Sequence, residues 1–291
     1  MNTVKLYCLV DSFVKQINNS SRKKQVGRKG ILSKTDYLFL CIIKQKRGFL
    51  TTKEFYHFIK EDVKNWFNEL PSYKQFIKGI EKSLKYLVLL TWVLARMNKM
   101  KKSKYHIVDS MPLPVCNNQY RFRSKIYKNF ASSGKNMNGW YYGFKLHLII
   151  NLNMEIESVH ISDGSTKDLN VLGTAFTKDI FGWLVGDKGY IGKENASSLS
   201  DQGITLITKP RTNMKKPPAT RIQQFLIAQR QKIESVNSSL KHRLSIINRY
   251  ARSLDSFFVS VFASISAYSL FLKSNLKSNP INPVFFNPLI S

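Results

Sequence analysis

The chain has 291 residues, 43% of them apolar, and Lys plus Arg outnumber Asp plus Glu by 46 to 18, a formal charge of +28. Self-repulsion on that scale works against a compact state, so a polyanion partner is the economical explanation, with nucleic acid favoured over a merely basic surface or a ribosome-associated role. Three widely spaced cysteines (Cys8, Cys41 and Cys116) exclude zinc-finger spacing and a disulfide framework, and fit a reducing cytoplasm.

In chain order, the opening residues lack a long apolar stretch, so no signal peptide is expected. Residues 1–100 read as an all-helical region, with apolar residues at mixed three and four spacing over 3–17, 34–46, 51–64 and 73–98. Ser33-Lys34-Thr35-Asp36 and Thr51-Thr52-Lys53-Glu54 read as capping boxes that start two of these helices. Gly48 punctuates between those two, and the basic Arg22, Lys23, Lys24, Arg28 and Lys29 precede them. The pattern is compatible with a helix-turn-helix DNA reader and also with an ordinary helical bundle.

From residue 104 the rhythm changes to strand, hairpin, helix, strand, helix, strand, helix. Strands are expected at 105–108, 141–151, 155–161, 180–185 and 204–207. Helices are expected at 167–178 and 193–202, followed by one long helix from about 220 to 248. That order predicts an α/β fold, an RNase H-like mixed sheet flanked by helices, over residues 104–250. The apolar run 257–272 carries Ser260, Ser264, Ser266 and Ser269, and 84–95 is short and carries Lys85. Because a spanning helix wants about 20 apolar residues, both read as buried helices and no membrane contact is expected. Residues 251–274 are then a C-terminal buried helix and 275–291, with three prolines, an irregular tail.

Three acidic residues stand out against this basic background. Asp109 closes the apolar run 105–108, Asp187 closes 180–186, and Glu234 sits on the expected long helix. Carboxylates at strand ends lie at the sheet edge where open α/β folds bind ligands. At about 100° per residue, Arg230, Glu234 and Lys241 share an arc of roughly 40° on that helix. The reading is a site for two divalent ions, Mg²⁺ with Mn²⁺ as a substitute, held by three carboxylates beside a phosphate. Each residue also has a plain alternative: strand-end aspartates often cap turns, and Arg230 with Glu234 at i, i+4 suits a surface ion pair.

His147, among apolar neighbours, reads as a core or supporting residue, and Asp163 and Asp168 as turn and helix-start residues. Trp140, Tyr141 and Tyr142 beside Lys135 read as strand core, with stacking on an unpaired base as the alternative. Basic clusters at 96–104, 121–128, 209–216 and 241–249 would line a DNA path. No G-x-x-x-x-G-K-[ST] loop is present, so no ATP requirement is expected.

Val108-Asp109-Ser110-Met111-Pro112, Gly186-Asp187-Lys188-Gly189-Tyr190 and Arg230-x3-Glu234-x6-Lys241 resemble the signatures of bacterial insertion-sequence DDE transposases, most nearly those of the insertion sequence 982 family. The segments Gly139–Trp140–Tyr141–Tyr142–Gly143–Phe144–Lys145–Leu146–His147 and Leu70–Pro71–Ser72–Tyr73 fit as well, and the resemblance spans roughly residues 25–250. It implies an RNase H-like fold, with Asp109, Asp187 and Glu234 as metal-binding catalytic residues and Arg230 and Lys241 on DNA phosphates. Lys188 and Arg28 are further candidate DNA contacts. The family pattern places a Tyr three residues before the Arg, and here that position is Ile227, which leaves any role of that Tyr unfilled. The implied activity is cleavage at the ends of a mobile element and strand transfer into target DNA. The expected partners are double-stranded terminal repeats, target DNA and further copies of the chain in the bacterial cytoplasm, at the nucleoid. An RNase H-like nuclease that cuts without joining and an inactive DNA-binding protein are the competing readings.

Overall fold

The computed structural model describes residues 2–20, 30–137, 139–209 and 220–275, so Arg28, most of the 209–216 cluster and the tail beyond 275 lie outside the described residues. The chain divides into two compact units, residues 1–93 with 240–291, and residues 94–239.

The first unit is helical: α1 (Thr3–Ser20), α2 (Lys34–Lys46), α3 (Thr52–Glu61), α4 (Tyr73–Lys82), the first part of α5 (Leu84–Lys99), and a C-terminal helix (Leu254–Asn275). Both expected capping boxes form. Ser33 accepts from the Asp36 amide while the Asp36 carboxylate accepts from the Ser33 amide, and Thr51 and Glu54 repeat the exchange. The expected helix over 73–98 is instead two helices parted at Ser83, whose hydroxyl donates back to the Gly79 carbonyl, a side-chain bond that competes with the helical ladder. The C-terminal helix packs on α2 and α4. Among the described residues, its stretch Leu254–Leu272 is the one long and apolar enough to cross a membrane, but 67% of it is buried inside the protein. Its serines are used: Ser266 bonds Thr91 at 3.0 Å, Ser264 donates to the Leu244 carbonyl at 2.8 Å, and Ser260 accepts from Asn248 at 2.9 Å.

The second unit is a six-stranded mixed sheet flanked by helices. Its strands are β1 (Tyr105–Cys116), β2 (Ser132–Asn136), β3 (Gly139–Asn151), β4 (Ile156–Asp163), β5 (Gly182–Gly186) and β6 (Ile204–Thr208). β3 is antiparallel to β1, both β2 and β4 are antiparallel to β3, and β5 and β6 continue parallel to β1. The order β4-β3-β1-β5-β6, with β1 central, is RNase H-like, as expected. Helix α6 (Lys193–Asp201) lies between β5 and β6 in sequence, and α7 (Arg221–Ala228) and α8 (Gln231–Ser238) follow β6. One core cluster joins Val108, Ile149, Leu184, Tyr190, Leu199 and Ile204, and a second joins Val185, Ile207 and Leu226.

Four sequence expectations need correction here. β1 does not end at Val108 but runs to Cys116, because Met111, Leu113 and Val115 continue the buried alternation opposite β3. Pro112 and Pro114 are tolerated because their nitrogens point to the side of β1 that has no partner beyond Ile107. β2 was not expected: it is a short polar strand, Ser-Ser-Gly-Lys-Asn, with no apolar alternation to mark it. The expected helix over 167–178 is a 3-10 turn, Asp168–Val171, followed by irregular turns. Gly173 stands at φ 77°, and Thr174 and Thr177 bond local carbonyls rather than a helical ladder. Finally, the long helix over 220–248 is interrupted at Gln229–Arg230 and passes after α8 into a π turn, Ser239–Arg243.

Candidate active site

β1 and β5 run parallel with Tyr105, His106 and Ile107 opposite Trp183, Leu184 and Val185. Asp109 lies two residues past that pairing, still bonded to β3 opposite Leu148, and Asp187 follows directly on β5. Both therefore stand at the carboxyl edge of the parallel strands, although only Asp187 ends its strand. Gly182 makes the β5 start possible: its φ is 88°, and a Cβ there would come within 2.5 Å of the Lys104 carbonyl oxygen.

Helix α8 brings the third part of the edge. Ile233 and Val236 are buried, and α8 packs on β1. Arg230, at its start, donates from Nη1 to Asp187 Oδ1 at 3.2 Å, and the buried Asn237 donates from Nδ2 to Asp109 Oδ2 at 2.9 Å. On an ideal helix Arg230, Glu234 and Asn237 fall within roughly 60° of one another. Glu234 thus lies on the same side of the helix as the two residues that hold the aspartates, between them in sequence. Its carboxylate is exposed and has no hydrogen-bonding or ionic partner among the described residues.

The electrostatics of the edge are uneven. Burial pushes the Asp109 carboxyl up to about 6, and Asp168 and Asp187 push in the same direction, against the Ser110 backbone amide and the Arg230 guanidinium. Asp187 is the opposite case, more than half exposed. Asp168, read from sequence as a helix-start residue, enters this neighbourhood. It accepts from the Ser110 hydroxyl at 2.9 Å, pairs with Lys145 Nζ at 3.2 Å and lies 3.9 Å from His147 Nδ1. His147 is buried, its pKa lowered to about 4 by desolvation, and its Nε2 meets Ser162 Oγ at 2.9 Å, the supporting position expected of it. The buried Tyr190 hydroxyl has its ionisation pushed well above the usual value by burial and then by Asp168 and Asp109. Asp163 does serve a turn, accepting from Ser165 and Thr166.

Lys188 is exposed beside Asp187 in the 3-10 turn Lys188–Tyr190. Lys241 sits in the π turn and is assigned to the first unit, so the arc drawn from Arg230 to Lys241 on one regular helix does not hold. Sequence reasoning missed Asn237 and preferred a helix-start role for Asp168 over contact with the site. The first was accessible as the i+3 neighbour of Glu234; the second carried no signal beyond an acid before an apolar run.

A divalent cation fits the donor set at this edge in kind: two aspartate oxygens from adjacent strands, one of them burdened by like charges that a cation would offset. Among the described residues, however, no three His, Cys, Asp or Glu side chains are grouped closely enough to hold a metal ion. Arg230 supplies the counter-charge to Asp187 in this state.

No curated protein matches the chain. Among solved structures it is similar to a piggyBac transposase in a cryo-EM synaptic complex with hairpin DNA, at 11% identity and a TM-score of 0.46, covering 99% of this chain and 79% of that one. Residues 99–254, over half the chain and including Asp109, Asp187 and Glu234, match the model of the transposase DDE domain, and the chain belongs to that family.

Proposed function

We propose that this DDE transposase belongs to the insertion sequence 982 group, cuts DNA at the ends of its element and joins the freed 3′-hydroxyl to target DNA at the same edge. The observation that carries the reading is the meeting of Asp109 and Asp187 at one sheet edge, Asp187 held by Arg230 at the cap of α8 and Asp109 by Asn237 within it, on either side of Glu234 in sequence. Asp109, Asp187 and Glu234 would hold Mg²⁺, or Mn²⁺ in its place. When bound, such ions activate the attacking oxygen and stabilise the leaving one.

The chain's own residues do the rest. β1 and β5 fix the two aspartates in register, and Asn237 holds Asp109 by one oxygen. Arg230, which balances Asp187 in the free protein, is the group able to pass to a DNA phosphate once other positive charge faces Asp187. Lys188 and Lys241 add phosphate contacts, and Arg28 with the helical first unit would recognise the terminal repeats. Catalysis of this kind is mostly positioning and charge neutralisation, which is why few side chains suffice. Two ends must be cut, so we infer a homo-oligomer on DNA, acting in the bacterial cytoplasm.

The test is cleavage of DNA carrying the element's ends by Asp187→Asn protein. Loss of cleavage with end binding retained supports the reading, and surviving cleavage contradicts it. Cutting of supplied ends without joining of pre-cleaved ends to a target would favour a nuclease.

A further inference from the structure

β1 and β3 overhang the catalytic edge. Beyond Ile107 β1 has no strand paired on the β5 side among the described residues, yet it continues to Cys116 against β3, with β2 on the far side of β3. At about 3.4 Å per residue this ribbon carries the chain roughly 24 Å past Asp109. It is also the longest acid-free stretch of the sequence: from Ser110 to Met154 there is no acidic residue, while Arg121, Arg123, Lys125, Lys128, Lys135 and Lys145 all fall within it.

At the end of the overhang lies a cavity of about 700 Å³, with Ser133 and Tyr142 of the ribbon, Trp140, Phe122, Arg121 and Lys128 among its walls. That volume is in the usual range for a small-ligand site. Two of its aromatic rings are placed where a folded protein gains little from them: Phe122 is 86% exposed and Trp140 58%. Each carries a cation over its face, Arg121 at 4.5 Å from the Phe122 ring and Lys135 at 5.8 Å from the Trp140 ring. The amide oxygen of Asn118, also in the wall, is buried and has no hydrogen-bond partner among the described residues. Trp140 thus departs from the strand-core reading, whereas its neighbour Tyr141 is buried as that reading expects.

We propose that this cavity receives an unpaired nucleobase of a DNA strand running from the catalytic edge. Flat exposed rings offer stacking to any base, and Arg and Lys meet the flanking phosphates. The proposal rests on the reading that the chain acts on DNA, but assigns a second contact distinct from Asp109 and Asp187.

The experiment is fluorescence anisotropy of the full-length protein, in chelator, with a labelled single-stranded DNA, the same sequence as RNA, and the same sequence as blunt duplex. Stacking is worth about 1–3 kcal/mol per base, so Trp140→Ala is expected to weaken single-strand DNA binding by roughly 5- to 150-fold while duplex binding moves less than about twofold. Phe122→Ala, which removes a ring outside the core, repeats the test without threatening the fold. Equal losses for single strand and duplex, or no loss in either aromatic variant, would overturn the proposal, as would tighter ring-dependent binding of RNA than of DNA. A protein that binds the duplex but not the single strand defeats this proposal alone; one that binds neither defeats the transposase reading as well.

Discussion

Two groups of carboxylates in the same sheet are treated in opposite ways. At the amino end of β1, Glu155 pairs with Lys101 and accepts from Asn151 at 2.9 Å, and Glu157 meets His106 Nδ1 at 2.6 Å while His106 Nε2 donates to the Phe181 carbonyl. Both glutamates are buried, and both have dedicated partners. At the carboxyl edge Asp109 is half-buried among other carboxylates with one amide side chain on it, Asp187 has one arginine, and Glu234 has no partner among the described residues. A charge that serves the fold comes with its compensation built in. Asp109, buried short of such compensation, costs stability, and that points to a ligand that supplies the difference.

The sharpest break of this comparison is in activity. Asp109→Asn should lower end cleavage by at least about a hundredfold, since the loss is of charge at the reacting centre. Glu157→Gln should leave cleavage by folded protein within a few-fold of wild type. Next in size is the fold's own pair. Glu157→Ala leaves the buried His106 Nδ1 without its partner, and an unsatisfied buried polar group costs about 1–3 kcal/mol, readable as a fall in denaturation midpoint.

Asp109→Asn should do the reverse to stability. Its carboxyl is raised from 3.8 to about 6 on folding, so the cost is absent below about pH 4, grows as pH rises through that interval and is full above it. The variant should therefore be more stable than wild type above pH 6, by at most about 3 kcal/mol for two pKa units, with the gain vanishing near pH 4. A constant gain across that range would contradict the assigned cause. The smallest effect is expected from Arg230→Ala. Its partner Asp187 is largely exposed, so stability should move by less than about 1 kcal/mol, while duplex binding weakens and its salt dependence becomes shallower.

What the sequence made legible was local. Ser33 with Asp36 and Thr51 with Glu54 announce helix starts because side chain and backbone meet within three residues. Asp187 is singled out because an apolar run stops at Gly186. Asp109 is singled out for a partly mistaken reason: the strand goes on, and what stops there is the pairing with β5. The prolines at 112 and 114 hid that continuation, since the edge that tolerates them exists only in the assembled sheet. The break at Gln229–Arg230 has no Gly or Pro to mark it, and nothing in the structure explains it. The contact of Asp168 with Ser110 became visible only when the 3-10 turn and β1 were brought together, whereas Asn237 could be reached from sequence by its spacing from Glu234.

The central claim is that the edge carboxylates are left under-compensated in order to receive a divalent cation. The most direct measurement is electron paramagnetic resonance of Mn²⁺ titrated into the free protein near neutral pH, comparing wild type, Asp109→Asn, Asp187→Asn and Glu157→Gln. The account predicts bound Mn²⁺ in wild type and Glu157→Gln, and its loss in both aspartate variants. Equal Mn²⁺ binding by all four would contradict it.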